Sequence, residues 1–239
     1  MDRTSGYVLR SRRYTGPTAP PLTVEDMSRY NLGALQDMAF AAGTAAPNWD
    51  MLPSGRQVIE YDGGDYASVA FARWRDWDRQ GTILGWIQTI YAAGSQTIFA
   101  TSDTGTDTNF LQLRIVDTTG FLEIVQRDGG ALNQITGDVA CNDGLFHHCV
   151  VTGDTVAGAY ILYVDGVVQG LTVTSGANTG NWFDAIFDIR DNLSVGAMLN
   201  TSIADYLVGL ASPPDITQYV MSPTQVWDRF NSERGQFGR

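Results

Sequence analysis

Lysine is absent from the sequence; all 15 basic residues are arginine. Glutamate is nearly absent, with Glu25, Glu60, Glu123 and Glu233 the only four, so the other 22 of the 26 acids are aspartate. Aspartate suits turns and loops whereas glutamate suits helices, so the choice of acid points away from a helical protein. It also removes one chemistry. No two glutamates are near each other and no aspartate pair sits at alternating strand spacing, so the carboxylate pair of glycoside hydrolysis is missing and no enzyme is expected. Two cysteines are too few for a disulfide or metal framework. Cys141 and Cys149 stand across Asn142-Asp143-Gly144, where two buried thiols and a cross-strand disulfide both fit. No apolar run approaches the length of a membrane span, and no apolar region follows the first arginines, so neither a membrane partner nor a signal peptide is expected.

What is present is a hydrophobic fraction of 44%, an aromatic fraction of 11% and 26 glycines, enough for a large core with many turns. The net charge of −11 is unevenly spread. Residues 1–20 carry four arginines against one aspartate, whereas residues 56–215 carry 7 arginines against 19 acids. An acidic body repels phosphate, so no nucleic-acid partner is expected, and the basic arm suits an acidic protein surface.

In the arm, Gly16, Pro17, Pro20 and Pro21 rule out continuous helix. Thr23-Val24-Glu25-Asp26 is then a capping-box variant, and Val24, Met27, Tyr30, Ala34, Leu35 and Met38 stand at helical spacing. A short helix is predicted there, weakened by Gly33 and in need of a partner for its stripe. Residues 41–54 read as a linker. From Arg56 the pattern is one of strands. Residues 73–80 look like an exposed charged and aromatic loop, and residues 82–91, nearly all apolar, look like a central sandwich strand. In residues 110–116, Leu111, Leu113 and Ile115 face one way and Gln112 and Arg114 the other.

The organising stretch is 142–166. Two strand-like runs there are joined by a Gly/Asp/Thr-rich turn, and the second ends on Asp165-Gly166, a type I′ hairpin signal. His147 and His148 are adjacent and so face opposite sides of their strand. One is expected buried and hydrogen-bonded, the other exposed, both as framework. Residues 175–191 form a looser insertion, and a short helix follows Ser222-Pro223. About twelve strands at short spacing predict an all-β, two-sheet antiparallel sandwich with an N-terminal extended arm plus short helix. The expected division is 1–55 for the arm, helix and linker, 56–215 for the sandwich and 216–239 for the tail.

The run Gly-Leu-Phe-His-His-Cys-Val-Val-Thr, followed by Tyr-Ile-Leu-Tyr-Val-Asp-Gly, resembles the signature of laminin G-like, concanavalin A-like jelly-roll domains. Residues 59–66, 81–88 and 193–197 look like that family's opening strand, next core strand and late Gly-Ala strand. Phe146 stands where tryptophan is usual and Cys149 where valine is. Residues 21–26 with Asn31 and Leu32, and residues 218–223 with Arg229 and Phe230, are similar to segments of phage fibre and appendage proteins.

The resemblance implies a non-enzymatic structural component of a phage or phage-like particle: a fibre, spike or appendage located in the virion and assembled in the host cytoplasm. Its arm, through Arg10, Arg12, Arg13, Tyr14, Met27, Tyr30 and Leu35, would attach it to other particle subunits, with a homo-oligomer expected. The alternative is a carbohydrate-binding adhesin recognising host surface glycan, with Trp74, Trp77 and Trp182 in presumed loops as stacking residues; aromatic loop residues equally suit an interface or core. Such domains often hold one Ca²⁺ at a loop rim, for which Asp103, Asp107 and Asn109 are the local candidates. Asp and Asn also favour turns for conformational reasons, and on that reading no metal or other cofactor is expected.

Overall fold

Runs that alternate and runs that are wholly apolar both become strands here, and the difference lies in what covers them. The computed structural model describes all residues except 1–6, 11–21, 29–30, 41–46, 71–74 and 187–188; for 7–10, 22–28 and 31–40 it describes the strand backbone alone. In chain order the strands are β1 (Tyr7–Arg10), β2 (Leu22–Ser28), β3 (Asn31–Phe40), β4 (Asn48–Met51), β5 (Gln57–Asp62), β6 (Ala67–Ala70) and β7 (Gln80–Gln88). Then follow β8 (Gln96–Ser102), β9 (Phe110–Ile115), β10 (Phe121–Asp128), β11 (Ala131–Ala140), β12 (Phe146–Asp154), β13 (Ala159–Val164), β14 (Val167–Val168) and β15 (Thr172–Ser175). The last are β16 (Asn192–Val195), β17 (Met198–Leu199), β18 (Ile203–Ala204), β19 (Val208–Ala211) and β20 (Asp215–Thr217), before helix α1 (Pro223–Glu233).

The first sheet is centred on β7. It pairs with β12 along its whole length, from Gln80↔Asp154 to Gln88↔Phe146. Its other edge is shared by β19, at Leu210↔Gln88, and β20, at Ile216↔Ile83. Beyond β12 lie β13 and β14; beyond β19 lie β5 and β4. The Asp165-Gly166 turn between β13 and β14 has φ of 52° and 79°, the left-handed values a type I′ turn requires. The second sheet runs β6, β16, β8, β9, β10, β11, β15. All these pairings are antiparallel. The inner faces meet in one core, to which Ile59, Ile83, Ile87, Val151 and Leu162 come from the first sheet and Phe99, Leu111, Leu113, Ile124, Ile135 and Leu193 from the second. Cys141 and Cys149 belong to this core as free thiols, their sulfurs 3.9 Å apart.

The helix predicted from Thr23 is not formed. That segment is the hairpin β2–β3, with Leu22↔Met38 and Ser28↔Asn31 in register. β1 joins β2 to β20, and β3 pairs with β6, so the hairpin links the edges of the two sheets. The physical reason is pairing. A lone helix of this length is marginal in water and Gly33 costs it about 1 kcal/mol, whereas strands here are hydrogen-bonded to existing edges. Of the arm residues, Arg12, Arg13, Tyr14 and Tyr30 lie outside the described residues; Arg10, Met27 and Leu35 lie on β1, β2 and β3.

The outer face of the first sheet is covered as well. Helix α1 starts with a capping box: the Ser222 hydroxyl accepts from the Gln225 N–H and the Gln225 side chain accepts from the Ser222 N–H, with Pro223 at the first turn. Val226 and Phe230 on its buried side, and Phe237 after it, pack on Val58, Leu84, Trp86, Phe146, Val150 and Tyr163. Trp86 is the anchor. Its ring stacks on Phe237 at 4.3 Å and on Phe230 at 5.7 Å, and its indole N–H donates to Glu233 at 2.8 Å. Each aromatic pair contributes about 0.5–1.5 kcal/mol beyond the area it buries.

This cover overturns the expectation of one exposed histidine. His147 and His148 do face opposite ways, but both are buried. The ring nitrogens of His147 lie 3.0 Å from Asp165 Oδ2 and 3.0 Å from Asp143 Oδ1. Burial pulls its pKa down, but the hydrogen bonds to Asp165 and Asp143 outweigh burial and raise it above the ordinary 6.5. His148 lies between Trp86, at 5.0 Å, and Phe230, at 6.3 Å, with neither ring nitrogen hydrogen-bonded among the described residues. Burial, with the Arg229 charge adding to it, lowers its pKa to about 4. Residues 73–80 also differ from expectation: Arg75 and Asp76 are buried, because the chain turns inward there to pair Asp76 with Arg190 at 2.9 Å.

The two histidines act on stability in opposite senses. A depressed native pKa gives a contribution that is whole above pH 6.5 and is lost as pH falls from 6.5 towards 4. A raised native pKa gives one that is whole below 6.5 and is lost as pH rises through the raised value. His148→Phe keeps the aromatic packing and removes the group that must stay neutral. Urea unfolding should show the loss of stability between pH 6.5 and 4 smaller by about 3 kcal/mol in this variant than in wild type. Equal pH slopes in the two proteins would refute the assignment.

Candidate functional site

The tryptophans expected to stack on a ligand part company. Trp182 is a core residue, fully buried. Gly81 and Gly153 pair directly across β7 and β12, and a Cβ on either would come within 2.7 Å or 2.3 Å of the indole. The two glycines therefore form the slot that the ring fills, against Tyr160 and Phe183. Trp182 does lie in a loop, as expected, but its buried ring cannot stack on a ligand, and residues 175–191 are not loose: Phe183 and Ile186, in a 3₁₀ turn, are buried in the same core. Trp77 is 61% exposed, in the turn before β7, and Trp74 lies outside the described residues.

The acidic loop before β9 is occupied with its own turn. Asp103 accepts from the Gly105 N–H at 2.8 Å and from the Thr106 hydroxyl at 3.2 Å. Asp107 pairs with Arg127 at 3.5 Å, and the Asn109 side-chain carbonyl accepts from the Gly129 N–H at 2.9 Å. The three side chains thus hold three different partners. Among the described residues no group of three His, Cys, Asp or Glu is placed to hold a metal.

A different set of residues forms a cleft. The loops after β5, β7 and β18 meet at one end of the sandwich and enclose about 200 Å³, lined by Gly63, Tyr91, Gly94, Ser95, Asp205, Tyr206 and Val208. Tyr66 stands behind Tyr206, ring centroids 6.5 Å apart. Gly63 has φ of 96°, and a Cβ there would touch Val208 at 3.0 Å, so the β5 turn comes this close only as glycine. Asp205 also has a left-handed backbone, φ 52°, a conformation that costs a non-glycine residue energy and is held by its surroundings.

Those surroundings are the second sheet. The Asp205 carbonyl accepts from the Thr97 N–H at 2.8 Å, and its carboxylate accepts from Gln112 at 2.9 Å and Arg114 at 3.1 Å. Arg114 also binds Glu123 at 2.7 Å, and Glu123 accepts from the Thr136 hydroxyl at 2.7 Å. Gln112 and Arg114 are the outward-facing residues of the alternation in β9, and this network is what their outward face does. On the opposite wall Gln96, almost fully buried, ties three pieces together. Its amide donates to the Tyr91 carbonyl at 3.1 Å, and its carbonyl accepts from the Thr89 hydroxyl at 3.0 Å and the Val208 N–H at 3.1 Å. Gln112 and Arg114 show in the sequence as the polar side of an alternating strand, but the residues that line the cleft did not stand out. They sit in separate loops with no shared spacing, and the one local cue is a tyrosine beside each strand end.

Two antiparallel sheets closed over one core, with a loop-built cleft at one end, define a lectin-like β-sandwich. The chain belongs to the concanavalin A-like lectin/glucanases superfamily, whose family model matches residues 62–226. Among solved structures it is similar to domain 4 of AbnA, a GH43 extracellular arabinanase from Geobacillus stearothermophilus, in complex with arabinotriose. That likeness has a TM-score of 0.60 and 15% identity, covering 85% of this chain and 91% of that one. It is also similar to the Ruminococcus gnavus IT-sialidase CBM40 bound to α2,3 sialyllactose, with a TM-score of 0.55 and 15% identity over 64% of this chain and 83% of that one. NanB sialidase from Streptococcus pneumoniae, as its K499G mutant, gives 0.54 and 14% identity over 71% of this chain and 27% of that one. At these identities the likeness is one of fold. No curated protein matches the sequence.

Two substitutions test the placement of the aromatics. Trp182→Ala should cost about 3–5 kcal/mol and Trp77→Ala about 0.5 kcal/mol or less, read by urea unfolding. A small loss at Trp182 would contradict its place in the core. Gln96→Leu leaves the Tyr91 carbonyl and the Val208 N–H without their partner, and should cost about 1–3 kcal/mol while raising amide exchange at Val208. Unchanged exchange would mean that Gln96 does not brace the cleft.

Proposed function

We propose that this protein is a non-catalytic carbohydrate-binding β-sandwich whose cleft holds one unit of a glycan against Tyr91 and Tyr206. The observation that carries the reading is the meeting, in one pre-formed cleft, of Tyr91 and Tyr206 with Asp205 and Ser95. A sugar ring has an apolar C–H face, which an aromatic ring can cover, and an equatorial belt of hydroxyls, which need polar partners. Pockets for drug-sized ligands run to roughly 300–1,000 Å³, so a smaller cleft suits a single sugar residue of a longer chain.

Three further points support it. Two proteins similar in fold are bound to sialyllactose and to arabinotriose in their solved structures. The carboxylate that lines the cleft, Asp205, is bridged by Arg114 to the buried Glu123, an arrangement that serves positioning better than proton transfer. The particle-assembly reading rests on the two short end segments. One of them, residues 218–230, has an intramolecular use here, since Met221, Val226 and Phe230 cover the first sheet.

The experiment is a glycan array followed by titration calorimetry on the array's binders, with Tyr206→Ala and Tyr91→Ala compared with wild type. Each variant should keep the wild-type circular dichroism and weaken binding roughly tenfold or more, the loss of about 1.4 kcal/mol expected when one stacking ring is removed. Undiminished binding in both variants would put the site elsewhere.

A further inference from the structure

We infer that the cleft selects neutral glycans and rejects anionic ones. The inference rests on the glycan-binding reading above and adds the charge of the ligand to it.

Recognition of a carboxylate, sulfate or phosphate on a sugar needs a cation free to pair with it, most often an arginine whose planar fork meets two oxygens at once. The chain has no lysine. Among the described residues Arg114 is the arginine bound to a residue lining the cleft, and each of its three nitrogens is engaged. Its Nε donates to Glu123 at 2.8 Å, a terminal nitrogen meets the same carboxylate at 2.7 Å, and the other meets Asp205 at 3.1 Å. A ligand anion would have to displace one of these carboxylates, leaving it unpaired beside the newcomer. The other arginines whose side chains are described are committed elsewhere. Six of them pair with aspartate or glutamate away from the cleft, and Arg56 and Arg234 lie over Phe237 and Phe230 on the helix side.

The rim is acidic instead. Asp205 lines the cleft. Asp62 is exposed next to Gly63 and opposite Val208 in register. Asp117 is exposed too, and its N–H donates to the Ser95 hydroxyl at 3.3 Å. No arginine stands in the segments that meet there, 62–66, 89–95, 116–120 and 204–208. A concave site with low-dielectric walls and charge of one sign focuses that potential, on a chain whose net charge is already −11. Neutral hydroxyls meet the same carboxylate as good donors, so the field that excludes an anion costs a neutral sugar nothing.

The test uses matched pairs: lactose against 3′-sialyllactose, and neutral oligosaccharides against their sulfated and uronate-bearing counterparts, on an array and by calorimetry. At low salt, about 0.01 M, the neutral member of each binding pair should bind at least tenfold more tightly. The gap should narrow at about 0.15 M salt, where the Debye length falls to roughly 8 Å. The double variant Asp62→Asn, Asp117→Arg should leave neutral binding unchanged and raise anionic binding at least threefold. Anionic members bound as tightly as neutral ones, or a ratio unmoved by the double variant, would overturn the charge selection and leave glycan binding standing. Binding of no member at all would overturn the glycan reading itself, and this inference with it.

Discussion

Burial of β7 and β12 on both faces is the constraint from which the rest follows. A strand at the centre of a sandwich has one face on the core and one on solvent, and can read as alternating. Here the inner face carries Ile83, Ile87 and Val151, while the outer face carries Leu84, Trp86, Val150 and His148. An outer face of that kind cannot be left in water, so the chain must return to cover it, and the capped helix with Phe230 and Phe237 does so. Tight pairing of the same two strands sets the position of Trp182 as well, since only the facing glycines Gly81 and Gly153 leave room for its ring. One pair of strands thereby determines the core, the plug at one end and the docking of the C-terminal segment.

Much of this was legible in the sequence, for a physical reason in each case. The apolar run at 82–91 marks a strand covered on both sides, the alternation at 110–116 marks one with a polar outer face, and Asp165-Gly166 marks a turn with two left-handed residues. The helix predicted from Thr23 failed because Val24, Met27, Leu35 and Met38 fit helical spacing, while the hairpin they form instead is tied, through Ala39 and Phe40 and through β1, to β6 and β20, far along the chain. The burial of Trp182, a loop residue, was hidden because nothing periodic surrounds it and the glycines that make room for it are more than seventy residues apart. The exposed histidine was expected because sequence spacing gives opposite faces but not what lies over them. The cleft was invisible for a deeper reason. Its residues come from three loops, and the features that matter, a left-handed Asp205 and a buried Gln96, are properties of position rather than of residue type.

Those two residues show how a loop-built cleft gains the rigidity of the scaffold. Loops carry sites because they are free to vary, yet a site on unconstrained loops must be ordered by its ligand, at a cost in affinity for each side chain immobilised. Asp205 avoids that cost by fixing its carbonyl on β8 and its carboxylate on β9, so its unfavourable backbone is held by the sheet before any ligand arrives. Gln96, at the start of β8, does the same for the opposite wall through Tyr91 and Val208.

The same network sets the electrostatic character of the cleft. Holding a carboxylate at its edge requires a cation behind it, and Arg114 supplies that cation. Because Arg114 is shared with Glu123, its charge is spent inward and is not offered to solvent. An arginine used in this way stabilises the wall and leaves the face towards the ligand acidic. Were residue 123 neutral, Arg114 and Asp205 would balance to zero, and the acidic character of the cleft would rest on Asp62 and Asp117 alone. The buried Glu123, which belongs to no loop, thus adds to the negative charge of the cleft from within the second sheet by holding the Arg114 guanidinium inward.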